Sequence, residues 1–294
     1  MNPETIVSAR GLTKRFGNHV AVDGIDVDVR EGEIMGFLGP NGAGKTTTIR
    51  LLTTLAQPTS GEITIDGHRI SGPSDSVKEG IGIVQQHTAL DRDVSVMENI
   101  RYHAMLHRIP RREADERIAE LTEIMGLTPY LDRLAINLSG GWKRRVAIVC
   151  AIIHKPRILF LDEPTAGLDT QSRHMLWELI RQLNSEGTTV FLTTHYMDEA
   201  EELCDRVAII DHGRLVRTGS PGELCESIGE WAVEYRSEGR KHYRYFSDRE
   251  ESRRFLDSLP PDSQTVSRST NLEDVFLELT GRDTVATEEV SYKI

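Results

Sequence analysis

The sequence lacks a long apolar run and an excess of positive charge, and each absence excludes a class of protein. The longest apolar run, Val146 to Ile153, is far shorter than the roughly 20 residues that a membrane-spanning helix needs. The first residues lack the apolar segment of a secretion signal, so we expect the product to stay in the cytosol. The net charge of −11 argues against a general nucleic-acid binder, which normally carries a basic face.

Cysteine is also scarce. The three cysteines, Cys150, Cys204 and Cys225, form neither a CxxC pair nor a metal-binding spacing. We therefore expect them to be buried as small hydrophobic side chains. The chain has 294 residues, and a prior of roughly one domain per 150 residues predicts about two domains.

The apolar pattern predicts an α/β fold. Alternating apolar residues in the first 35 positions predict an antiparallel β subdomain. Apolar strands that alternate with helices then predict a mostly parallel sheet with helices on both faces. The strands are expected at "EIMGFL", "GEITIDG", "IGIVQ", "RILFLD", "TTVFLTT" and "RVAIIDHGRLVRTG". Residues from about 95 to 153 are almost wholly helical in pattern and predict a helical subdomain within this domain.

The composition changes after the segment "GSPGELCESIGE". The segment "WAVEYRSEGRKHYRYF" predicts a hairpin, followed by a helix, a short strand near Thr265 and a last helix in "NLEDVFLELTG". We therefore assign residues 5–218 to the main domain and residues 220–281 to a small C-terminal α+β domain. The polar residues 282–294 are expected to form a flexible tail.

A glycine-rich segment between a predicted strand and a predicted helix has the spacing of a phosphate-binding loop. The segment "GPNGAGKTT" fits G-x-x-x-x-G-K-[ST] in the context that this motif requires. Its residues, all candidates for nucleotide binding, are Gly39, Pro40, Asn41, Gly42, Ala43, Gly44, Lys45, Thr46 and Thr47. Lys45 would neutralise phosphate oxygens, and the Thr46 hydroxyl would ligate Mg²⁺. A chance glycine-rich turn is the alternative, and both flanks count against it.

Polar residues follow the later apolar strands. Asp162 and Glu163 end the strand "RILFLDEP", and alternation along the strand would point their side chains in different directions. Asp162 is suited to the Mg²⁺ shell, and Glu163 could polarise an attacking water. His195 could steady developing negative charge, and Gln86 could reach both Mg²⁺ and the water. Taken alone, a strand-end carboxylate, a single His and a surface Gln are more often structural.

The order of these segments resembles the nucleotide-binding subunit of ABC transporters, over residues 5 to about 218. The matching elements are "GPNGAGKTT" (Walker A), Gln86 (Q-loop), "LSGGWKRR" (signature), "ILFLDEP" (Walker B), "AGLD" (D-loop), His195 (H-loop) and Phe16 (the aromatic residue that stacks on adenine). The resemblance implies a P-loop NTPase core of the ABC type with ATP and Mg²⁺ as cofactors. It implies as catalytic residues Glu163, His195, Gln86 and Lys45, and as metal ligands Thr46, Gln86 and Asp162. It adds as nucleotide contacts Phe16, Ser139, Gly140, Gly141, Trp142 and Asp169.

The signature raises the question of which phosphate it binds. Ser139, Gly140 and Gly141 open a predicted helix, and a helix N-terminus carries roughly half a positive charge. In the family, two subunits pair head to tail, and the signature of one closes over ATP held by the other. A long helical insertion separates the signature from Lys45. We therefore expect the signature to bind the ATP of a partner subunit.

Two residues depart from the family pattern, and a basic run follows them. Trp142 stands where many members have Gln, so stacking or packing would replace a ribose hydrogen bond. Gln85 replaces a common proline and is expected to loosen its segment slightly. Lys143, Arg144 and Arg145 could form a nucleic-acid patch, but we expect the solvated, ion-paired flank of a helix.

The resemblance implies an ATPase that works on membrane partners. The expected partners are an integral membrane permease and a second ATPase subunit, identical or closely related, with no nucleic acid. The protein would lie peripherally on the inner face of the cell membrane. The ending "NLEDVFLELTGR" resembles type-2 ABC exporters, although an amphipathic packing helix explains it equally well. The alternatives are an importer subunit, or a soluble ABC ATPase that acts on ribosomes or DNA.

Overall fold

The computed structural model describes residues 4–70, 79–86, 90–237, 240–260 and 263–281. The predicted flexible tail, residues 282–294, lies outside these ranges. Within them, no helix combines the length and the apolar character that a membrane crossing requires.

Strands and helices alternate along much of the chain, as in an α/β protein. The strands are β1 (Thr5–Phe16), β2 (His19–Arg30), β3 (Ile34–Leu38), β4 (Ser60–Ile65), β5 (His68–Ile70), β6 (Ile81–Val84), β7 (Ile158–Asp162), β8 (Thr189–Thr194), β9 (Arg206–Asp211), β10 (Arg214–Gly219), β11 (Trp231–Ser237), β12 (Arg240–Phe246) and β13 (Thr265–Ser269). The α-helices are α1 (Lys45–Leu52), α2 (Val96–Leu106), α3 (Arg111–Ile124), α4 (Gly140–Ile152), α5 (Thr170–Ser185), α6 (Met197–Leu203), α7 (Pro221–Glu226), α8 (Arg249–Ser258) and α9 (Leu272–Thr280).

An antiparallel sheet contains the first strands, as the sequence predicts. Its order is β2-β1-β4-β5, and each neighbouring pair is antiparallel. The segment "GEITIDG" therefore belongs to this sheet. The sheet buries apolar side chains such as Val7, Val27 and Ile63 in a core that it shares with Phe37 and Phe160 of the second sheet.

The second sheet positions the polar strand ends. Its order is β10-β9-β3-β8-β7-β6, and all pairs except β9 with β10 are parallel. Strands β3, β7 and β8 are buried along their whole length, which is typical of a parallel sheet covered on both faces. Because these strands run in the same direction, the loops after Leu38, Asp162 and Thr194 meet at one edge. The prediction of a mostly parallel sheet is confirmed.

The predicted helical block is also confirmed. It contains α2, α3 and α4, with short 3₁₀ turns at Thr128–Tyr130 and Ala135–Asn137. Helix α2 begins with a capping box, in which Ser95 and Glu98 satisfy each other's backbone N–H groups. Val146 and Val149 of α4 are fully buried, so the block packs on the main core through this helix.

The C-terminal residues form the expected hairpin, strand and helices. The sheet order is β12-β11-β13, and Phe255 of α8 packs against Tyr235 and Phe246 at 5.3 Å between ring centroids. Helix α9 instead buries Leu272 and Phe276 in the same apolar cluster as the parallel sheet. The packing-helix interpretation of this segment is therefore confirmed, while the division at residues 218–220 stays a prediction.

The three cysteines, all within the described ranges, form no disulfide bond, and the prediction that they are buried is confirmed for two of them. Cys150 and Cys204 are buried, and Cys225 is half-buried. Burial raises the pKa of the Cys150 thiol to about 12, so this side chain is an inert core residue at neutral pH.

The position of α9 gives a test of its role in stability. Phe276 is 4% exposed, and removing a buried Phe side chain commonly costs about 3–5 kcal/mol. We expect Phe276→Ala to lower the free energy of unfolding by this amount in urea titration. The control is Val266→Ala, because Val266 is 53% exposed and surface changes usually stay within about 0.5 kcal/mol. Equal effects of the two changes would contradict the packing of α9 on the main core.

Candidate nucleotide-binding site

The loop between β3 and α1 has the shape of a phosphate cradle. Gly42 and Gly44 have φ angles of 81° and 109°, which favour glycine. A Cβ atom at Gly39 would lie 2.3 Å from the Ile210 carbonyl oxygen, and one at Gly44 would lie 2.5 Å from that of Ala21. No side chain caps the N-terminus of α1. Its N–H groups are therefore available to an anion.

Lys45 is buried at the base of this loop, with 4% of its surface exposed. Its Nζ donates to the carbonyl oxygens of Gly39 at 2.8 Å and Pro40 at 3.0 Å. Nζ also lies 3.1 Å from Glu163 Oε1. Burial lowers the pKa of Lys45, while the charges of Glu163 and Asp162 oppose that shift. The ammonium group is thus positioned where a bound phosphate would need a positive charge.

The two carboxylates at the end of β7 have different partners, as strand alternation predicts. Asp162 Oδ1 accepts from the Thr46 hydroxyl at 3.2 Å and from the Thr193 hydroxyl at 2.7 Å. Glu163 turns away with a φ of 47° and faces Lys45. A carboxylate beside a hydroxyl is a donor set that a hard cation such as Mg²⁺ prefers, so Thr46 and Asp162 fit the predicted metal site.

His195 completes the surroundings of Glu163. Its Nδ1 lies 3.4 Å from Glu163 Oε1, because β8 ends beside β7 in the parallel sheet. The interaction with His195, followed by that with Lys45, holds the pKa of Glu163 at about 2 against the opposing effect of burial. The Glu163 carboxylate is therefore ionised at neutral pH and can accept a hydrogen bond from water.

Two of the predicted site residues, Phe16 and Gln86, are exposed. Phe16, at the end of β1, is 53% exposed, and Lys14 Nζ lies 5.2 Å from the centre of its ring. An exposed aromatic face is available for stacking on a base. Gln86 is exposed just after β6, and its contact with Mg²⁺ or water stays a prediction.

The signature residues form a helix N-terminus that is open to the outside. Ser139 is the N-cap of α4, and its hydroxyl makes no capping hydrogen bond. Ser139 and Gly140 are exposed, and a Cβ atom at Gly140 would meet nothing within 4 Å. In the described part of the chain, no hydrogen bond or ion pair joins residues 139–142 to residues 39–47. The signature therefore has space for a group from another molecule.

Trp142 and Asp169 have partners within the subunit. The Trp142 ring lies 4.3 Å from that of Tyr130, and the Arg145 guanidinium lies 4.4 Å from the ring centre. Trp142 is thus packed within the subunit, and the replacement of a ribose hydrogen bond at this position stays a prediction. Asp169 caps α5 and accepts from the Ser172 N–H at 2.8 Å and its hydroxyl at 2.7 Å. These bonds lower the pKa of Asp169, and the nucleotide contacts of both residues stay predictions.

The expectation of a solvated, ion-paired flank is wrong for the basic run after Trp142. Lys143 donates to the Ile136 carbonyl at 3.1 Å, and Arg145 donates to the Met125 carbonyl at 2.9 Å. Arg144 is only 5% exposed. The physical reason is helical position, since Arg144 lies one turn before the buried Ile148 on the inner face of α4.

Arg144 is a residue of the site that the sequence analysis missed. Its guanidinium donates to the carbonyl oxygens of Asp162 at 2.5 Å and Pro164 at 3.2 Å, and also to that of Gln85. The Gln85 carbonyl is thus held by a buried cation, and the expected slight loosening of this segment stays a prediction. In the sequence, the burial of Arg144 is indicated only by its i, i+4 spacing to the apolar Ile148, which places both residues on one face of the helix.

Comparison with known proteins agrees with this geometry. Residues 22–166 match the family described as ABC transporter. The Nod factor export ATP-binding protein I of Cupriavidus metallidurans is 39% identical over 95% of this chain and 98% of the relative. The daunorubicin/doxorubicin resistance ATP-binding protein DrrA of Streptomyces peucetius is 44% identical over 77% of this chain and 69% of the relative.

A solved structure has the same fold. It is the ATP-binding cassette MJ0796 in a dimeric, post-hydrolysis state bound to ADP and Pi, at 27% identity and a TM-score of 0.67. The match covers 73% of this chain and 98% of that one. The chain belongs to the ABC transporter family, in which it is an ATP-binding subunit with ATPase activity.

The buried position of Lys45 predicts a large effect of its removal. We expect Lys45→Ala to weaken ATP binding at least about tenfold, or about 1.4 kcal/mol, because a desolvated charge–phosphate interaction is lost. Isothermal titration calorimetry of the purified subunit measures this. Lys155→Ala is the control, since Lys155 is exposed and lies outside the site. Unchanged affinity in Lys45→Ala would overturn the assignment of the phosphate loop.

Proposed function

We propose that two ATPase subunits close head to tail over two ATP molecules and that this closure drives export through separate membrane subunits. The observation that carries the proposal is the split of the site into two complementary parts. Lys45, Asp162, Glu163 and His195 surround the subunit's own phosphate loop, while the N-terminus that begins at Ser139 is open. The phosphate-loop part offers a lysine and carboxylates to a nucleotide, and the signature part offers the N–H groups of a second helix N-terminus.

In the proposed mechanism the chain's own residues do three things. The N–H groups of residues 42–47 and the Lys45 ammonium bind the phosphates and orient them. The ionised Glu163 accepts a hydrogen bond from the attacking water, aligns it with the γ-phosphate and takes the proton that the water loses. His195 would donate a hydrogen bond to the same phosphate as negative charge develops. Mg²⁺, held by Thr46 and Asp162 with Gln86 nearby, would neutralise phosphate charge.

The partner's signature would complete the site. Its helix N-terminus adds N–H groups and a partial positive charge at the γ-phosphate. Hydrolysis would remove the group that holds the two subunits together and so release them. Support comes from the dimeric state of the related cassette MJ0796 with ADP and Pi.

A groove between the parallel sheet and the helical block is suited to a membrane partner. Its volume is about 370 Å³, and residues on both sides line it, among them Val84, Gln85, Leu90 and Ala147. The neighbouring side chains Leu55, Tyr102, Met105 and Leu106 are exposed although apolar. Exposed apolar patches beside a groove are typical of protein contact sites. We propose that a permease docks here, which would place the subunit on the inner face of the membrane.

Export is favoured over import by the relatives. The two relatives named above are an export protein and a drug-resistance protein, and the first matches 95% of this chain, so that the match includes α9. The acidic net charge offers no support for a nucleic-acid partner.

The dimer is tested by a variant that binds ATP without cleaving it. Glu163→Gln keeps the shape of the side chain but cannot accept a proton from water. We expect it to elute as a dimer with ATP and Mg²⁺ in size-exclusion chromatography, and as a monomer without nucleotide. Adding Ser139→Arg should return it to the monomer, because the new side chain fills the signature. A monomer in the single variant under all conditions would count against head-to-tail closure.

The role of Phe16 is tested with a ligand that lacks a base. Stacking of a base on an aromatic residue is commonly worth about 1–3 kcal/mol, so Phe16→Ala should weaken ATP binding by this amount in calorimetry. Inorganic tripolyphosphate carries the phosphates alone, and its affinity should not change. An equal loss for both ligands would mean that Phe16 acts through the fold and not through adenine.

A further inference from the structure

The helix that carries the signature also contacts the subunit's own nucleotide site, through Arg144. Its guanidinium lies between two segments that the sequence places far apart, the end of β7 and the end of β6. It donates to Asp162 and Pro164 on one side and to Gln85 on the other, and its Nη1 is 3.5 Å from the Gln86 carbonyl.

These contacts flank the residues proposed to act on water. Asp162 and Pro164 are the neighbours of Glu163 in the chain, and Gln85 precedes Gln86. One planar group with five N–H donors in a rigid fork can hold several carbonyls in a fixed arrangement, whereas an ammonium has only three rotatable donors. The Glu163 loop and the Gln86 segment are thus fastened to one side chain of α4.

The burial of this cation argues for a specific arrangement. Arg144 is 5% exposed, and an unpaired buried charge is costly. All its hydrogen-bond partners on the described residues are backbone carbonyls. Desolvation lowers its pKa to about 10, opposed first by the charge of Asp162, so Arg144 remains a cation at neutral pH.

Helix geometry links Arg144 to the signature. Gly140 is the first residue of α4, and a rise of about 1.5 Å per residue places Arg144 about 6 Å further along the axis. A helix moves as a rigid element over this length. A shift of the loops around Glu163 or Gln86 would therefore change the direction of the helix N-terminus.

We propose that Arg144 is a positioning residue that couples nucleotide at the subunit's own phosphate loop to the orientation of its signature helix. Nucleotide binding moves the Glu163 and Gln86 segments, Arg144 transmits this to α4, and Ser139 is thereby prepared for the partner's ATP. The inference rests on the proposed function, because the signature is taken to serve the opposite site.

The test measures hydrogen exchange of backbone amides with ADP and Mg²⁺. ADP lacks the γ-phosphate that a partner's signature would bind, so any effect on α4 arises within the subunit. In the wild type we expect slower exchange in the phosphate loop, residues 39–47, and at least about threefold slower exchange in residues 140–146. In Arg144→Met the phosphate loop should be protected as before, with no change in residues 140–146.

Two further variants separate transmission from stability. Arg144→Lys keeps the charge but not the planar group, so it should also show no change in exchange of residues 140–146 with ADP. If Arg144→Met fails to fold, Arg144→Lys replaces it in the test. Arg117 is the matched control, since it is a half-buried arginine that donates to the Ile152 carbonyl at 3.1 Å, at the far end of α4. Arg117→Met should retain protection of residues 140–146.

The steady-state kinetics of ATP hydrolysis should agree with the hydrogen-exchange result. We expect Arg144→Met to lower kcat at least about tenfold, calculated per ATP-binding subunit, with KM for ATP changed less than about twofold. Arg117→Met should keep both values near those of the wild type.

The outcomes distinguish this inference from the proposed function. Absence of protection at the phosphate loop of the wild type would contradict nucleotide binding itself. Protection of the loop without any change in residues 140–146 of the wild type would overturn the coupling alone. Wild-type protection of residues 140–146 in both Arg144 variants would also overturn it.

Discussion

Parallel pairing of β8 with both β3 and β7 is the constraint on which the rest of the structure depends. It brings the loops after Leu38, Asp162 and Thr194 to one edge of a sheet in which these three strands are fully buried. Lys45 Nζ then lies 3.1 Å from Glu163 Oε1, although the two residues are 118 positions apart in the sequence. The central residues of β3 and β7 are apolar and buried, and Lys45, Asp162 and Glu163 lie where the strands end, where phosphates would bind.

Much of the site could be predicted because its signals are local. The phosphate loop, the carboxylates after β7 and the helix start at Ser139 are each recognisable from a short stretch of residues. Arg144 was mispredicted because a charged residue in a basic run is usually solvated, and its partners at Gln85 and Pro164 become visible only in the folded chain. Likewise, the Tyr130 contact of Trp142 is a tertiary feature that no local pattern contains.

The fold was predicted with similar limits. Periodicity identified the strands and helices, including α9 with its apolar face. It could not assign "GEITIDG" to the antiparallel sheet, because strand partners are set by topology. Nor could it show that Leu272 and Phe276 share the core of the parallel sheet. Helix α9 also contacts α6, the helix that follows His195, because the Leu272 N–H donates to the Glu201 carboxylate at 2.5 Å.

We propose that a subunit cleaves ATP only when another subunit closes its site. The most direct measurement is ATP turnover per subunit across a dilution series, with the dimer fraction determined at each concentration by sedimentation velocity in ATP and Mg²⁺. If head-to-tail closure is required, turnover per subunit will rise and fall with the dimer fraction and approach zero for the monomer. Constant turnover per subunit, down to concentrations at which only monomer is present, would contradict it.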